Sequence, residues 1–267
     1  MNILVCVKQV PSVVTVSIDE NKHTLRRDTS QSEINPFDLY ALEGAARFKD
    51  ADTSSKIIAL SMGPLSADSV LKDALTIAAD GAYLISDDLF SGADVRLTAQ
   101  IIRQAIRVIE AKEGKFDVIC CGAKSTDGNV SAFAPMLAFS MNLPVVTYAT
   151  TCKRKYDELY IWKEREKDSL SLKVRLPCVV SFTKAAFPVR YPEMSRIISV
   201  SSAVIPVLTS EDLYKHGEFE GKKKNREIEI KSHRFFSVKR SSRIIKGKSA
   251  EATAEILASM LQESHII

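Results

Sequence analysis

The sequence predicts an α/β fold on a doubly wound parallel sheet, with an antiparallel hairpin region and an extended C-terminal arm that ends in a helix. Three observations predict it. Short unbroken apolar runs alternate with helix-period segments from residue 2 to residue 140, the rhythm of parallel strands joined by crossover helices. The strand ends carry glycine- or proline-marked turns at Lys8 to Pro11, Met62 to Pro64 and Gly122 to Asn129. Beyond Val146 the pattern changes to polar–apolar alternation over residues 149 to 175, as in hairpin strands solvated on one face.

Taken in order, Ile3 to Val7 is an apolar run expected to be a strand buried on both faces, with Lys8 in the loop at its carboxyl end. Lys8 reads equally as a phosphate ligand or a solvated lysine. Residues 12 to 33 are a polar excursion with a hairpin expected around Asp19-Glu20-Asn21. Asn35 is placed to cap a helix that starts at Pro36, with Leu39, Leu42, Ala45, Ala46 and Phe48 on its buried side. The alternative for Asn35 is a side-chain contact to a ligand. Lys56 to Ser61 is the second strand, and a helix from Ser66 to Ala79 is expected to close on Gly81 as a C-cap. Tyr83 to Ile85 is the third strand. Leu97, Ile101, Ile102, Ala105, Ile106 and Ile109 mark one face of a long amphipathic helix from Asp94. Val118 to Cys121 is the fourth strand.

That strand breaks at Gly122 and passes through a polar loop containing Gly128. Helical pattern is expected from Val130, with Met136, Leu137 and Phe139 buried. A strand, a glycine loop and a helix N-terminus together form a natural anion site, because the first helical amides have no internal partner. The plainer reading is an ordinary strand-to-helix connection, since neither a P-loop nor a dinucleotide fingerprint is intact. Three such loops on one sheet edge make a nucleotide crevice in a Rossmann-like domain the stronger expectation. Leu176 to Phe182 is a further buried strand, Pro188 to Ile198 a short helix or loop presenting apolar residues, and Ala250 to Leu261 the last helix. The expected division is a nucleotide-binding domain over 1–200 and a partner-facing arm over 201–267.

The chain's 267 residues are 45% hydrophobic and 26% charged, enough for one large core plus an appendage. The net charge of +4 is concentrated late, at Lys222 to Lys224 and around Lys239, Arg240 and Arg243. Without aromatic interleaving this reads as a solvated arm and not as a nucleic-acid surface. The five cysteines (Cys6, Cys120, Cys121, Cys152 and Cys178) lack metal-ligand spacing and read as buried thiols of a reducing, cytoplasmic compartment. No secretion signal and no membrane span is expected.

Several motifs together resemble the β (small) subunit of electron-transfer flavoproteins along nearly the whole chain. They are Cys6 to Pro11, Ile34 to Asp38 with Ala41 and Glu43, Ser61 to Pro64, Asp80 to Ala82, Gly122 with Thr126 to Asn129, Leu176 to Val180, Arg190 to Met194, and Ile244 to Gly247. The resemblance implies a larger α subunit carrying an electron-transferring FAD, and an adenine nucleotide in this chain's crevice. That nucleotide is AMP in housekeeping members. In bifurcating members it is a second FAD that takes hydride from NADH and splits its electrons, with ferredoxin as one acceptor. The family's nucleotide contacts map onto Cys6, Asn35, Pro36, Phe37, Asp38, Met62, Gly122, Thr126, Asp127, Gly128, Asn129, Val130, Ser131 and Ala132. Its docking loop for an acyl-CoA or hydroxyacid dehydrogenase maps onto Arg190, Tyr191, Pro192, Glu193, Met194 and Ile197, with Met194 in place of an anchoring leucine.

Two departures stand out. Asp127 to Ala132 reads Asp-Gly-Asn-Val-Ser-Ala where bifurcating members read Asp-Gly-Asp-Thr-Ala-Gln, and the arm carries Gly221 to Lys224 in place of Gly-Ser-Pro-Thr. No side chain reads as a general acid, base, nucleophile or metal ligand; His23, His216, His233 and His265 all sit in polar segments. The rival reading is a nucleotide-binding regulatory module without redox chemistry.

Overall fold

A computed structural model describes residues 1–12, 32–184, 188–214, 242 and 244–266, with the backbone of 17–19 and 24–26. The chain divides into two compact units, Met1–Glu229 and Ile230–Ile267. In the second, Ala250–Glu263 is a helix whose N-cap, Ser249, accepts from the amide of Ala252 at 3.2 Å. The basic stretch at 222–224 and around 239–243, and the apolar 228–230, lie outside the described residues, as do His23, His216 and His233.

The first unit holds the sheet. Its strands are β1 (Asn2–Cys6), β2 (Gln9–Pro11), β3 (Ser17–Asp19), β4 (Thr24–Arg26), β5 (Ser32–Ile34), β6 (Lys56–Met62), β7 (Gly81–Ile85), β8 (Val118–Gly122), β9 (Val145–Ala149), β10 (Thr151–Lys155), β11 (Glu158–Glu164), β12 (Ser169–Arg175), β13 (Cys178–Phe182) and β14 (Val207–Leu208). Its helices are α1 (Pro36–Ala51), α2 (Asp68–Ile77), α3 (Val95–Glu113), α4 (Phe133–Met141), α5 (Met194–Val200) and α6 (Ser210–Leu213).

Seven strands form one sheet in the order β14-β7-β6-β1-β8-β13-β9, and every pairing is parallel. From β1 the chain winds outward through β6 to β7, then returns to β8 on the other side of β1. Strand order therefore reverses at β1, and the carboxyl ends of β1 and β8 border the crevice where such sheets bind ligands. Alternating residues face opposite layers. Ile3, Val5 and Val7 pack with α1 and α2, whereas Leu4, Cys6 and Cys121 pack with α3 and α4.

The excursion after β1 is a paired structure. β2 pairs antiparallel with β5, and β3 with β4, so a hairpin lies where one is expected. The antiparallel region is a three-stranded meander, β10-β11-β12, whose Leu159 and Ile161 face the core. Strands β9 and β14 were not read from the sequence. β9 is an edge strand beside β13, and β14, beyond residue 200, pairs with β7 in the first unit's sheet.

Three local expectations are corrected. Gly81 is the first residue of β7, not a C-cap: α2 ends at Ile77 with Ala78 as its C-cap, and a Cβ at Gly81 would stand 2.9 Å from Ile58 Cδ1. Helix α4 begins at Phe133, not Val130. Its buried side is Ala134, Leu137 and Ala138, which leaves Phe139 88% exposed and Met136 outside the core. A nine-residue helix lying on one sheet face buries only a narrow stripe at i, i+3 and i+4, and position 139 points away from it.

Candidate functional site

The crevice is built from one helix start and two strand ends. At the head of α1, Asn35 and Asp38 are buried. The Asp38 carboxylate accepts from the amide of Lys8 at 2.8 Å and from the amide of Gly122 at 3.0 Å, tying the ends of β1 and β8 to α1. Asn35 ties the loop beyond: its Nδ2 donates to the carbonyl of Lys124 at 2.9 Å, and its Oδ1 accepts from the amide of Thr126 at 3.1 Å. Asn35 therefore does not cap α1 with its side chain, as the sequence suggested; it acts as a bracket for the loop. Pro36 supplies the fixed φ of the first helical turn.

This bracket requires a glycine at 122. A Cβ there would lie 2.2 Å from Asp38 Oδ1 and 2.9 Å from both Asp38 N and Phe37 C. Gly128 is under no such constraint, because a Cβ would meet only Val130 Cγ2 at 3.8 Å and Ser125 Oγ at 3.9 Å. The left-handed residue of the loop is Asn129, with φ 51°. Its amide donates to the carbonyl of Ser125 at 2.9 Å and closes a turn over Thr126 to Gly128. Lys8 is neither free nor merely solvated: its ammonium grips Asp127 with 2.8 Å to each carboxylate oxygen, and the Asp127 side chain is buried.

Burial pushes the Asp38 carboxyl up to about 7, against the pull of Asn35, of the Lys8 and Gly122 amides and of the Lys8 charge. Beneath the loop the floor is soft and apolar. Cys6, Cys121 and Met62 pack in one cluster, and a hydrogen bond with the Cys6 thiol, then burial, raises Cys121 well above the usual thiol range. The cysteines are all free thiols, and no group of metal-binding side chains occurs among the described residues. At the rim the Lys124 ammonium sits 5.5 Å from the centroid of the Phe37 ring.

Among the described residues, no hydrogen bond is made by the main-chain amides from Val130 to Ala134, and the first bond of α4 runs from Met136 N to Ala132 O at 3.0 Å. Pro135 has no amide to offer, so the donors at the head of α4 are Phe133 and Ala134, preceded by Val130 to Ala132. Ser61, one residue before Met62, leaves a buried hydroxyl without a partner. Free amides, an open side at Gly128 and an apolar floor suit a ligand with a flat ring and an anionic tail.

The second group of expected site residues lies elsewhere. Tyr191, Pro192, Glu193, Met194 and Ile197 are exposed along α5 and its approach, with Met194 70% and Tyr191 91% exposed. Arg190 turns inward instead, onto Glu43 of α1 at 2.8 Å and Asp50 at 2.7 Å. The sequence names Glu43 only within a family motif, and no site role was assigned from sequence to Glu43, Arg196, the rim residue Lys124 or the floor residue Cys121. One signal was available: a glutamate at 43, beside Leu42 and Ala46, interrupts the apolar stripe of α1.

Comparison with known proteins gives a consistent result. The chain matches the model described as "Electron transfer flavoprotein domain" over residues 22–212. It is 38% identical over 210 residues to the electron transfer flavoprotein subunit beta of Megasphaera elsdenii, covering 78% of each chain. It is 31% identical over 269 residues to the caffeyl-CoA reductase-Etf complex subunit CarD of Acetobacterium woodii, covering 100% of each. Its identity to the acryloyl-CoA reductase electron transfer subunit gamma of Anaerotignum propionicum is 34% over 215 residues, covering 80% of this chain and 79% of the other.

Proposed function

The chain belongs to the β-subunit family of electron transfer flavoproteins, and we propose that it holds an adenine nucleotide, FAD or AMP, at the crevice bordered by β1 and β8. In this reading it pairs with an α subunit and serves electron passage between a flavin dehydrogenase and a carrier. The observation that carries the proposal is the bracket of Asn35 and Asp38. Two buried polar side chains at one helix start hold two strand ends and a loop in place, and the matched family region contains both side chains, the loop and the end of β8.

The residues then have distinct tasks. Cys6, Met62 and Phe37 offer the apolar and aromatic surface for the adenine. Gly128 allows close backbone approach, and the amides and Ser131 ahead of α4 face the phosphates. Lys8 and Asp127 keep the loop closed, and Pro36 and Asp38 fix the start of α1. Bound FAD would supply one- and two-electron chemistry, whereas bound AMP would act structurally. With FAD here the chain would take part in NADH-dependent bifurcation with ferredoxin as one acceptor; with AMP it would stabilise and dock. The relatives from the caffeyl-CoA and acryloyl-CoA reductase complexes favour an acyl-CoA-type dehydrogenase as partner. The exposed residues of α5 and its approach are its docking surface.

The test is to denature the native complex and quantify FAD and AMP by chromatography. FAD alone, in twofold excess over heterodimer, would assign the redox nucleotide to this chain. FAD and AMP in equal amounts would assign AMP. A complex without any adenine nucleotide beyond one FAD would overturn the crevice assignment.

A further inference from the structure

The docking reading leaves the motif pairing Glu43 with Arg190 unexplained. Glu43 lies on the apolar side of α1 and is only 2% exposed, where an unpaired carboxylate is costly. Arg190 meets it with a full fork: Nε donates to Oε2 at 2.8 Å, Nη2 to Oε1 at 3.1 Å, and the main-chain amide to Oε2 at 3.1 Å. The same guanidinium reaches Asp50 at 2.7 Å. Six residues on, Arg196 donates from Nε to the carbonyl of Leu75 at 3.0 Å and from Nη2 to that of Ala79 at 2.6 Å, at the end of α2. Between the two arginines Tyr191 and Met194 are exposed, as is Ile198 just beyond Arg196.

Apolar packing does not hold this segment. Helix α5 buries no residue, and an open pocket of about 460 Å³ is lined by Ser199 and Val200 on one side and by Leu75 and Ala79 on the other. The geometry points to Arg190 and Arg196 as positioning residues: a two-point clamp, onto α1 and α2, that presents residues 191–198 as a preformed docking surface for the flavin dehydrogenase. This rests on the docking reading above. A segment ordered in advance avoids an ordering cost on binding that a loose loop would bear. Lysine cannot replace the fork, since it lacks the paired donors that match Glu43.

The experiment uses the native heterodimer and the dehydrogenase that co-purifies with it, with variants Arg190→Gln, Arg190→Lys, Arg196→Gln and Met194→Glu. Arg190→Gln raises the dehydrogenase's apparent KM for the flavoprotein by about tenfold or more, with kcat and nucleotide content unchanged. It also speeds amide exchange across 191–200, and Arg190→Lys rescues neither effect. Arg47, 3.0 Å from Glu43, remains to satisfy that carboxylate, so the fold survives. If Arg190→Gln nevertheless fails to assemble, Arg196→Gln carries the test, because it frees only two carbonyls. Met194→Glu raises KM without faster exchange. An unchanged KM in Met194→Glu sinks the docking reading itself. A raised KM there, with KM or exchange unchanged in both arginine variants, overturns the clamp alone.

Discussion

Replacing Gly122 with alanine is the sharpest perturbation of the crevice. The added Cβ would sit 2.2 Å from Asp38 Oδ1 and 2.9 Å from the Asp38 amide and the Phe37 carbonyl carbon. Two of those three atoms are backbone of α1, so no flexible side chain can yield. Either β8 or the head of α1 must move, and the 3.0 Å bond from the Gly122 amide to Asp38 goes with it. Overpacking costs about 1–3 kcal/mol and a buried carboxylate losing a donor about 1–3 kcal/mol more, so about 2–6 kcal/mol in total. For a unit of this size that is a fall of roughly 4–24 °C in thermal midpoint. The assay is thermal unfolding of the purified heterodimer together with its nucleotide content, and both should drop. Gly128→Val is the contrast: its backbone needs no glycine, so it loses the nucleotide to crowding at the phosphates but melts with the wild type once both are stripped of nucleotide. A Gly122→Ala complex that melted normally and kept its nucleotide would refute the claim that close approach of β8 to α1 shapes the crevice.

Asp38 gives a pH prediction with a definite sign. Its folded value, about 7, lies above the ordinary 3.8, so its contribution is fully present below 3.8 and is lost as pH rises through 7. The midpoint of the wild-type complex should fall between pH 5 and pH 8 by more than that of Asp38→Asn; equal slopes would show that the carboxyl does not titrate there. Asn35→Ala removes two bonds to the loop at Lys124 and Thr126 and should cost about 1–3 kcal/mol, with weaker nucleotide retention; unchanged retention on dialysis would deny it the bracket role. Leu137→Ala, in the buried stripe of α4, should cost about 2–5 kcal/mol by denaturant unfolding, whereas Phe139→Ala in the isolated subunit should cost less than about 0.5 kcal/mol.

The parts of this molecule that the sequence makes legible are those where one residue's chemistry decides the local structure. The apolar runs of β1, β6 and β8 announce themselves because both their faces are buried. Asp94 announces α3 because its carboxylate accepts from Leu97 N at 2.8 Å, a purely local bond. Where the decision is tertiary, the local signal misleads. Asn35 has the identity and position of a cap, yet its side chain is spent on a loop 89 residues away in sequence. Phe139 has the composition of a core residue, yet α4 turns it outward. β14 is too short to show periodicity and exists because the edge of β7 accepts it.

The most consequential tertiary decision concerns α1. Its first turn carries Asp38, which holds the strand ends at the crevice; five residues on, about 7.5 Å along the axis, Glu43 holds the docking segment through Arg190. Both carboxylates are buried, and both act by accepting hydrogen bonds that fix backbone. Directly after Glu43 the helix is pressed close to β13: a Cβ at Gly44 would stand 2.7 Å from the Phe182 ring. A site that only needed to bind a nucleotide would have no use for the second carboxylate, since the crevice is complete at Asp38. In the function proposed above it has one, because a complex that passes electrons needs its partner to approach from a reproducible direction. Carrying both anchors on one helix, seated on the central sheet, sets the spacing between the crevice and the docking segment by covalent geometry rather than by the packing of a mobile loop. Gly44→Ala tests the point: lifting α1 off Phe182 should disturb nucleotide retention and dehydrogenase KM together, and an effect on one alone would mean the two anchors work independently.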